Sequence, residues 1–86
     1  MEKNKSIREI INTIIGETLA LPHSPSNKKE EKEALYSIIS NSQKAILFIS
    51  QIEERFEMEL DDDDIDINFF SDVDQIEKIL IHNNSN

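Results

Sequence analysis

The sequence has no cysteine and no tryptophan, and only one tyrosine and one glycine among its 86 residues. Without cysteine, the chain supplies neither a disulfide framework nor a thiolate of its own. No apolar run approaches the length of about 18 residues that a membrane-spanning helix requires. The charged start, MEKNKSIREI, argues against a secretory signal peptide. These absences predict a cytoplasmic protein without a membrane partner.

Positive charge is scarce as well. Nine basic residues stand against 18 acidic ones, which gives a formal net charge of -9. Affinity for nucleic acid comes from neutralised phosphates, so this balance excludes nucleic acid from the expected partners. A basic protein surface is the natural partner of such a chain.

The length predicts one domain over residues 1–86, with a core from about 6 to 82 and polar tails at both ends. A chain this short buries only about 60–65% of its unfolded surface, so it can form a single compact core. We expect a monomer.

The stretch from Ser40 to Leu60 carries a strong helical pattern. Apolar residues recur there at spacings of three and four and mark one buried helical face: Ala45, Phe48, Ile49, Ile52 and Phe56. Ser40 followed by Gln43 fits a capping box, which predicts that Ser40 caps this helix.

The sequence before the stretch 40–60 predicts a first helix and a connection that joins the two helices. Ser6 and Glu9 form a second candidate capping box, and the isoleucines that follow predict a helix that ends near Ala20. The Pro- and Ser-rich residues 22–27 predict the end of the helix and a turn. The charged run 28–33 is interpreted as a solvated loop or a short helical turn. The connection from 20 to 40 is therefore expected to be long.

Two further helices are predicted after the central one. Asp66 is expected to cap a short third helix that runs through Phe70, and Ser71 to cap the last helix. The expected buried face of the last helix is Val73, Ile76, Ile79 and Leu80, before a frayed tail at residues 82–86.

The acidic run after the central helix raises the question of a calcium site. A calcium loop that began at Asp62 would place Ile67 at the glycine position and Val73 at the bidentate glutamate position, so the pattern argues against one. The two histidines, His23 and His82, lie far apart without metal-ligand spacing. No catalytic constellation is present, and we expect no enzyme activity of the chain itself.

Several motifs resemble the acyl and peptidyl carrier proteins. Asn41-Ser42 precedes a helix of the form Ala-Ile-x-Phe-Ile-x-x-Ile-Glu-Glu-x-Phe-x-x-x-Leu and an acidic turn, which looks like the second helix of that family. The segment Ile14 to Leu19 is similar to the end of the family's first helix, and Asp61 to Ile76 to its third-helix turn and the start of its fourth helix. The resemblance covers about four fifths of the chain in the same order.

The resemblance implies an all-α fold, a small four-helix bundle with three main helices, one short helix and a long first loop. It implies that Ser42 carries a covalent 4'-phosphopantetheine arm, on which an acyl or aminoacyl group is held as a thioester. The implied partners are a phosphopantetheinyl transferase and the acyl- or aminoacyl-activating, condensing and modifying enzymes of a pathway. The implied partner-binding residues of the helix are Gln43, Ile46, Leu47, Ser50, Glu53, Glu54 and Glu57.

The attachment motif departs from the family pattern. The family usually has Gly-x-Asp-Ser-Leu, and this chain has Ile39-Ser40-Asn41-Ser42-Gln43. Three hypotheses remain open: a stand-alone carrier in specialised biosynthesis of the nonribosomal peptide, polyketide or siderophore type, a carrier-like docking protein without the arm, and an unrelated acidic helical binding module.

Overall fold

The computed structural model describes residues 6–84. Four α-helices make up this part of the chain: α1 at Ile7–Leu19, α2 at Lys28–Ile39, α3 at Ser42–Phe56 and α4 at Val73–Asn84. A single 3₁₀ turn, Asp62–Asp64, lies between α3 and α4, and the described residues contain no strand. The predicted all-α four-helix bundle is confirmed. The predicted polar leader, residues 1–5, and the last two residues of the predicted tail lie outside the described residues.

Helix α1 begins and ends as its sequence predicts. Ser6 and Glu9 form the reciprocal capping box: the Glu9 N–H donates to the Ser6 hydroxyl at 3.1 Å, and the Ser6 N–H donates to the Glu9 carboxylate at 3.2 Å. The helix ends where Ala20 adopts a left-handed conformation, with φ of 55°. The Leu21 N–H then donates to the Gly16 carbonyl at 2.9 Å, which satisfies one of the last carbonyls of the helix.

The charged run 28–33 is the first half of the 12-residue α2, so it is neither the solvated loop nor the short helical turn that the sequence predicted. Asn27 caps the helix through a 2.9 Å bond from the Glu30 N–H, and acidic residues in the first turn face the positive end of the helix dipole. Buried Ala34, Leu35 and Ile38 then fix the helix on the core. The expected long connection from 20 to 40 is therefore reduced to residues 20–27.

Helix α3 begins one residue later than predicted, and its cap is Asn41. The Asn41 side-chain oxygen accepts from the N–H groups of Gln43 at 3.0 Å and Lys44 at 3.2 Å. The capping box predicted for Ser40 is wrong, because Ser40 ends α2 and its hydroxyl donates to the Tyr36 carbonyl at 2.7 Å. A residue that closes one helix is not free to open the next.

The segment before α4 is a turn rather than the predicted short helix. The Asp66 carboxylate accepts from the N–H groups of Asn68 at 2.9 Å and Phe69 at 3.2 Å, which holds a non-helical turn over 66–71. Asp72, and not Ser71, caps α4, through a 2.9 Å bond from the Gln75 N–H. The Ser71 hydroxyl instead donates to the Asn68 carbonyl at 2.8 Å.

Helix α4 continues through Asn84, beyond the point at which a frayed tail was expected. The amide of Asn83 donates to the Ile79 carbonyl at 2.9 Å, which ties the last turn to the preceding one. Val73, Ile76 and Leu80 are fully buried as predicted, and Ile79 is partly buried against the same core.

The core lies around α1, which contacts α2, α3 and α4. Its fully buried members include Ile11, Ile14 and Ile15. Phe48 and Ile52 of the predicted α3 stripe are also fully buried, while the other three stripe residues pack against the core with partial exposure: Ala45, Ile49 and Phe56. The predicted face of α3 is therefore the one that the protein buries. No helix in residues 6–84 combines the length and the apolar composition that crossing a membrane would require.

A network of charges that the sequence does not predict joins three helices. The Arg8 guanidinium of α1 donates two bonds to the Glu31 carboxylate of α2, at 2.7 and 3.1 Å, and a further bond to Asp74 of α4. Asn12 donates to the same Glu31 at 2.8 Å, and Lys28 donates to Asp74 at 3.1 Å. The Glu31 side chain is only 5% exposed. A buried carboxylate of this kind requires its partners, since an unpaired buried charge is strongly destabilising.

Candidate functional site

The corner between α2 and α3 carries the serine that the sequence singles out. Two residues, Ser40 and Asn41, separate the two helices, and Ser42 is the first residue of α3. Ser42 is exposed, and its hydroxyl has no hydrogen-bond partner within residues 6–84. The capping work is done by Asn41, so the Ser42 hydroxyl is not needed to hold the helix end.

The start of α3 has fewer free N–H donors for an anion than an uncapped helix terminus would have. The N–H groups of Gln43 and Lys44 already donate to the Asn41 side chain, and the Ala45 N–H donates to the Asn41 carbonyl at 2.9 Å. The Ser42 N–H is left for a phosphodiester on its own side chain, together with the positive end of the helix dipole. Two features fit a phosphopantetheine group: an exposed nucleophilic oxygen and a free N–H beside it.

The predicted partner-binding residues share the solvent side of α3. Six of the seven are exposed: Gln43, Ile46, Leu47, Ser50, Glu54 and Glu57. Ile46 and Leu47, which are neighbours in the chain, are 65% and 45% exposed. The face therefore combines an apolar contact near Ser42 with two carboxylates towards the end of the helix.

Glu53 differs from the other predicted partner residues because it is half-buried. Its carboxylate accepts from the Leu60 N–H at 2.9 Å and so holds the chain that leaves α3. Glu57 occupies the left-handed position that ends the helix, with φ of 52°. Of the three predicted acidic contacts, Glu54 and Glu57 are accessible to a partner, and Glu53 has a structural bond.

The acidic segment that follows α3 does not gather into a metal centre. Among residues 6–84, no three histidine, cysteine or acidic side chains lie close enough together to hold a metal ion. The Asp66 carboxylate is occupied by its own turn, and the Asp64 carboxylate accepts from the Asn83 amide at 3.4 Å.

Sequence reasoning missed two exposed apolar residues at the end of α2. Tyr36 is 73% exposed and Ile39 is 39% exposed, and they lie within six residues of Ser42 along the chain. The apolar run at residues 34–39 predicts that the chain returns to the core there, but it does not by itself distinguish one face of a helix from the other. Helical spacing supplies the signal that would have separated them, since Leu35 and Ile38 occupy the buried face.

The occurrence of α2 is itself a departure from the carrier pattern, in which the first loop is long. The helix is 12 residues long and it packs against α1, α3 and α4. The segment that leads to Ser42 is thus held rigidly on the bundle.

No protein-family model matches the chain, no curated protein matches it, and no solved structure matches it. The evidence for function is therefore the sequence motifs and the geometry around Ser42.

Proposed function

We propose that the protein is a stand-alone acyl or peptidyl carrier protein with a 4'-phosphopantetheine arm on Ser42. The observation that carries the proposal is the hydroxyl of Ser42, which is exposed and without a hydrogen-bond partner at the first position of α3. The buried residues Phe48 and Ile52 follow it at the spacing of the carrier family. The thiol of the arm would supply the chemistry by holding an acyl or aminoacyl group as a thioester, so the absence of cysteine is no obstacle.

The residues of the chain would position this arm and present it. Asn41 fixes the first turn of α3, so the attachment oxygen lies at the end of a rigid element. Partner enzymes in the cytoplasm would perform the chemistry, and the protein would serve them as a carrier. They include a phosphopantetheinyl transferase and the activating, condensing and modifying enzymes of a specialised pathway that makes a nonribosomal peptide, polyketide or siderophore.

The second candidate is a carrier-like acidic docking protein without the arm. The sequence around Ser42 favours it, since Asn41 and Gln43 replace the aspartate and the hydrophobic residue of the family motif. A rigid α2 in place of a long first loop points the same way, because it changes the surface beside the attachment residue.

The modification separates the two candidates. After coexpression with a broad-specificity phosphopantetheinyl transferase, we expect the intact mass of the protein to rise by one phosphopantetheine group. Ser42→Ala should abolish the increase and leave the melting temperature nearly unchanged, because an exposed hydroxyl without a partner contributes little to stability. Ser40→Ala is the matched control and should still be modified.

An unmodified wild-type protein after coexpression with several transferases, including that of its own host, would contradict the carrier proposal. Modification that persists in Ser42→Ala would place the arm on another residue. If the wild-type protein stays unmodified, the docking function is the candidate that remains.

A further inference from the structure

A cavity lies on the side of the bundle formed by the end of α1, the connection 20–27 and α2. Its volume is about 270 Å³. Its lining is largely apolar, with Leu19, Pro25 and Ala34, and it includes the acidic residues Glu30 and Glu33.

The wall of this cavity is held at both ends. At its start, the Leu21 N–H donates to the Gly16 carbonyl at 2.9 Å, and at its end the Ser26 N–H donates to the Glu30 carboxylate at 2.8 Å. Pro25 is buried between these two points. The cavity is therefore preformed, and a ligand would not have to order the connection in order to bind.

The size and the apolar lining suit one ring or one branched aliphatic group. An apolar cavity of about 150 Å³ accommodates benzene, so this cavity has room for a ring and a short polar head. The site is smaller than the clefts of roughly 300–1,000 Å³ that bind drug-sized molecules. Its ligand must be compact.

The charge of the lining selects the polar head. Glu30 and Glu33 contribute two carboxylates against one basic group, the imidazole of His23, and none of the described lining residues is a lysine or an arginine. The bonds from the Ser26 N–H and hydroxyl lower the pKa of Glu30, which keeps this carboxylate ionised. Glu33 is exposed and has no ion-pair partner within residues 6–84. A cation gains from both carboxylates, whereas an anion is repelled.

We propose that this cavity is a binding site for a small organic cation, an amidinium or ammonium carried on a compact apolar body. The apolar body would lie against Leu19, Pro25 and Ala34, and the cationic head would face Glu33 and Glu30. This site is separate from Ser42, and the proposal holds whether or not the protein carries an arm.

Three isosteric probes test the charge requirement: benzamidinium, benzamide and benzoate at constant ionic strength. Each is titrated into the ¹⁵N-labelled protein and followed by two-dimensional NMR. We expect saturable shifts with benzamidinium, confined to the amides of residues 16–37. Benzamide should bind about three- to tenfold more weakly, because it loses the attraction of two carboxylates, each of which contributes a factor of at most about five when exposed. Benzoate should give no saturable shifts.

Two variants test the place of binding. Glu33→Gln should weaken benzamidinium binding by about three- to fivefold, while Glu54→Gln, an equal loss of charge on α3, should leave it unchanged. Ser37 is exposed on the rim, so Ser37→Trp should fill the cavity and abolish the shifts while the spectrum of the folded protein is retained.

Equal affinities for benzamidinium and benzamide would overturn the proposal of a cation site. Equal effects of Glu33→Gln and Glu54→Gln, or binding that persists in Ser37→Trp, would show that the cation responds to the overall negative charge and not to this cavity.

Discussion

Phe48 is the residue on which the aromatic part of the core depends. Its ring is fully buried and lies 6.4 Å from the ring of Phe69 and 6.1 Å from that of Phe70, measured between centroids. Phe69 and Phe70 are themselves in an edge-to-face contact at 5.0 Å. This arrangement fastens the turn before α4 to α3 and gains from the preferred geometry of aromatic pairs.

We expect Phe48→Ala to lower the free energy of unfolding by about 3–5 kcal/mol, because it removes a fully buried ring and leaves a cavity. Phe56→Ala is the matched control on the same stripe. Phe56 keeps contact with water, so its replacement should cost roughly half as much. Urea denaturation measures both values, and a larger loss for Phe56 would mean that the turn before α4 does not pack as described.

Gly16 of α1 lies beside the connection 20–27, which raises the question of whether a larger residue would fit there. A methyl group built at Gly16 would meet the Ser24 Cα at 3.6 Å and the Ser24 hydroxyl at 3.7 Å, which are ordinary contact distances. The glycine is therefore not required by the connection 20–27, although the helix would gain from an alanine.

At the scale of the elements, two neighbouring residues at the start of α3 have different roles: Asn41 caps the helix, and Ser42 is the proposed attachment residue. Asn41 accepts two N–H bonds, and the neighbouring Ser42 has no bond. The two side chains are adjacent in sequence, yet only one of them holds the helix.

Asn41→Ala should therefore lower the free energy of unfolding by about 1 kcal/mol, within the usual range of about 0.5–2 for the loss of a cap. Ser42→Ala should change it by less than about 0.5 kcal/mol. Thermal or urea denaturation of the two variants provides the comparison. A Ser42→Ala loss as large as that of Asn41→Ala would mean that the serine hydroxyl caps the helix and is not free for attachment.

The exposed side of α3 makes a prediction about kinetics. If Glu54 meets a basic patch on the transferase, association should slow as salt rises, because exposed charges are screened over about 8–10 Å at moderate ionic strength. Glu54→Lys should slow association about threefold or more, whereas Glu33→Lys on α2 should have a smaller effect. Glu53 is unsuitable for this test because its carboxylate holds the Leu60 N–H. Rates independent of salt would instead favour an apolar contact at Ile46 and Leu47.

At the scale of the whole molecule, the Arg8 network joins helices that are distant in the chain. Arg8 bonds Glu31 and Asp74, and its guanidinium also lies 3.7 Å from the Glu77 carboxylate. The bond from Arg8, with a second from Lys28, lowers the pKa of Asp74 below its ordinary value of 3.8. The ionised form of Asp74 is thus favoured by the fold.

This shift makes part of the stability depend on pH. A carboxylate with a lowered pKa in the folded state stabilises the fold above its ordinary pKa, and the contribution is lost as the pH falls through the folded-state pKa. Asp74→Asn should lower the urea midpoint at neutral pH, and its difference from wild type should shrink as the pH falls below 3.8. Asp63→Asn, which removes an exposed charge without an arginine partner, should show no such pattern. A difference for Asp74→Asn that is constant with pH would contradict this account.

The sequence by itself determined the features that depend on local spacing. The box of Ser6 and Glu9 and the isoleucines after it predict α1, and the apolar residues at spacings of three and four predict the buried face of α3. These predictions succeed because a cap needs only its own first turn, and a helical period needs only its own residues.

Only the tertiary structure decided the features that depend on what another segment contributes. The charged run 28–33 packs on the bundle because Glu31 reaches Arg8 and because Leu35 and Ile38, further along α2, find a core, neither of which is visible in the run itself. Ser40 does not cap α3, since the end of α2 already uses its hydroxyl. A buried ion pair or a hydrogen bond requires that two groups lie in the same place. Arg8 and Glu31 are 23 positions apart in the chain, so only the packing of α1 against α2 brings them together.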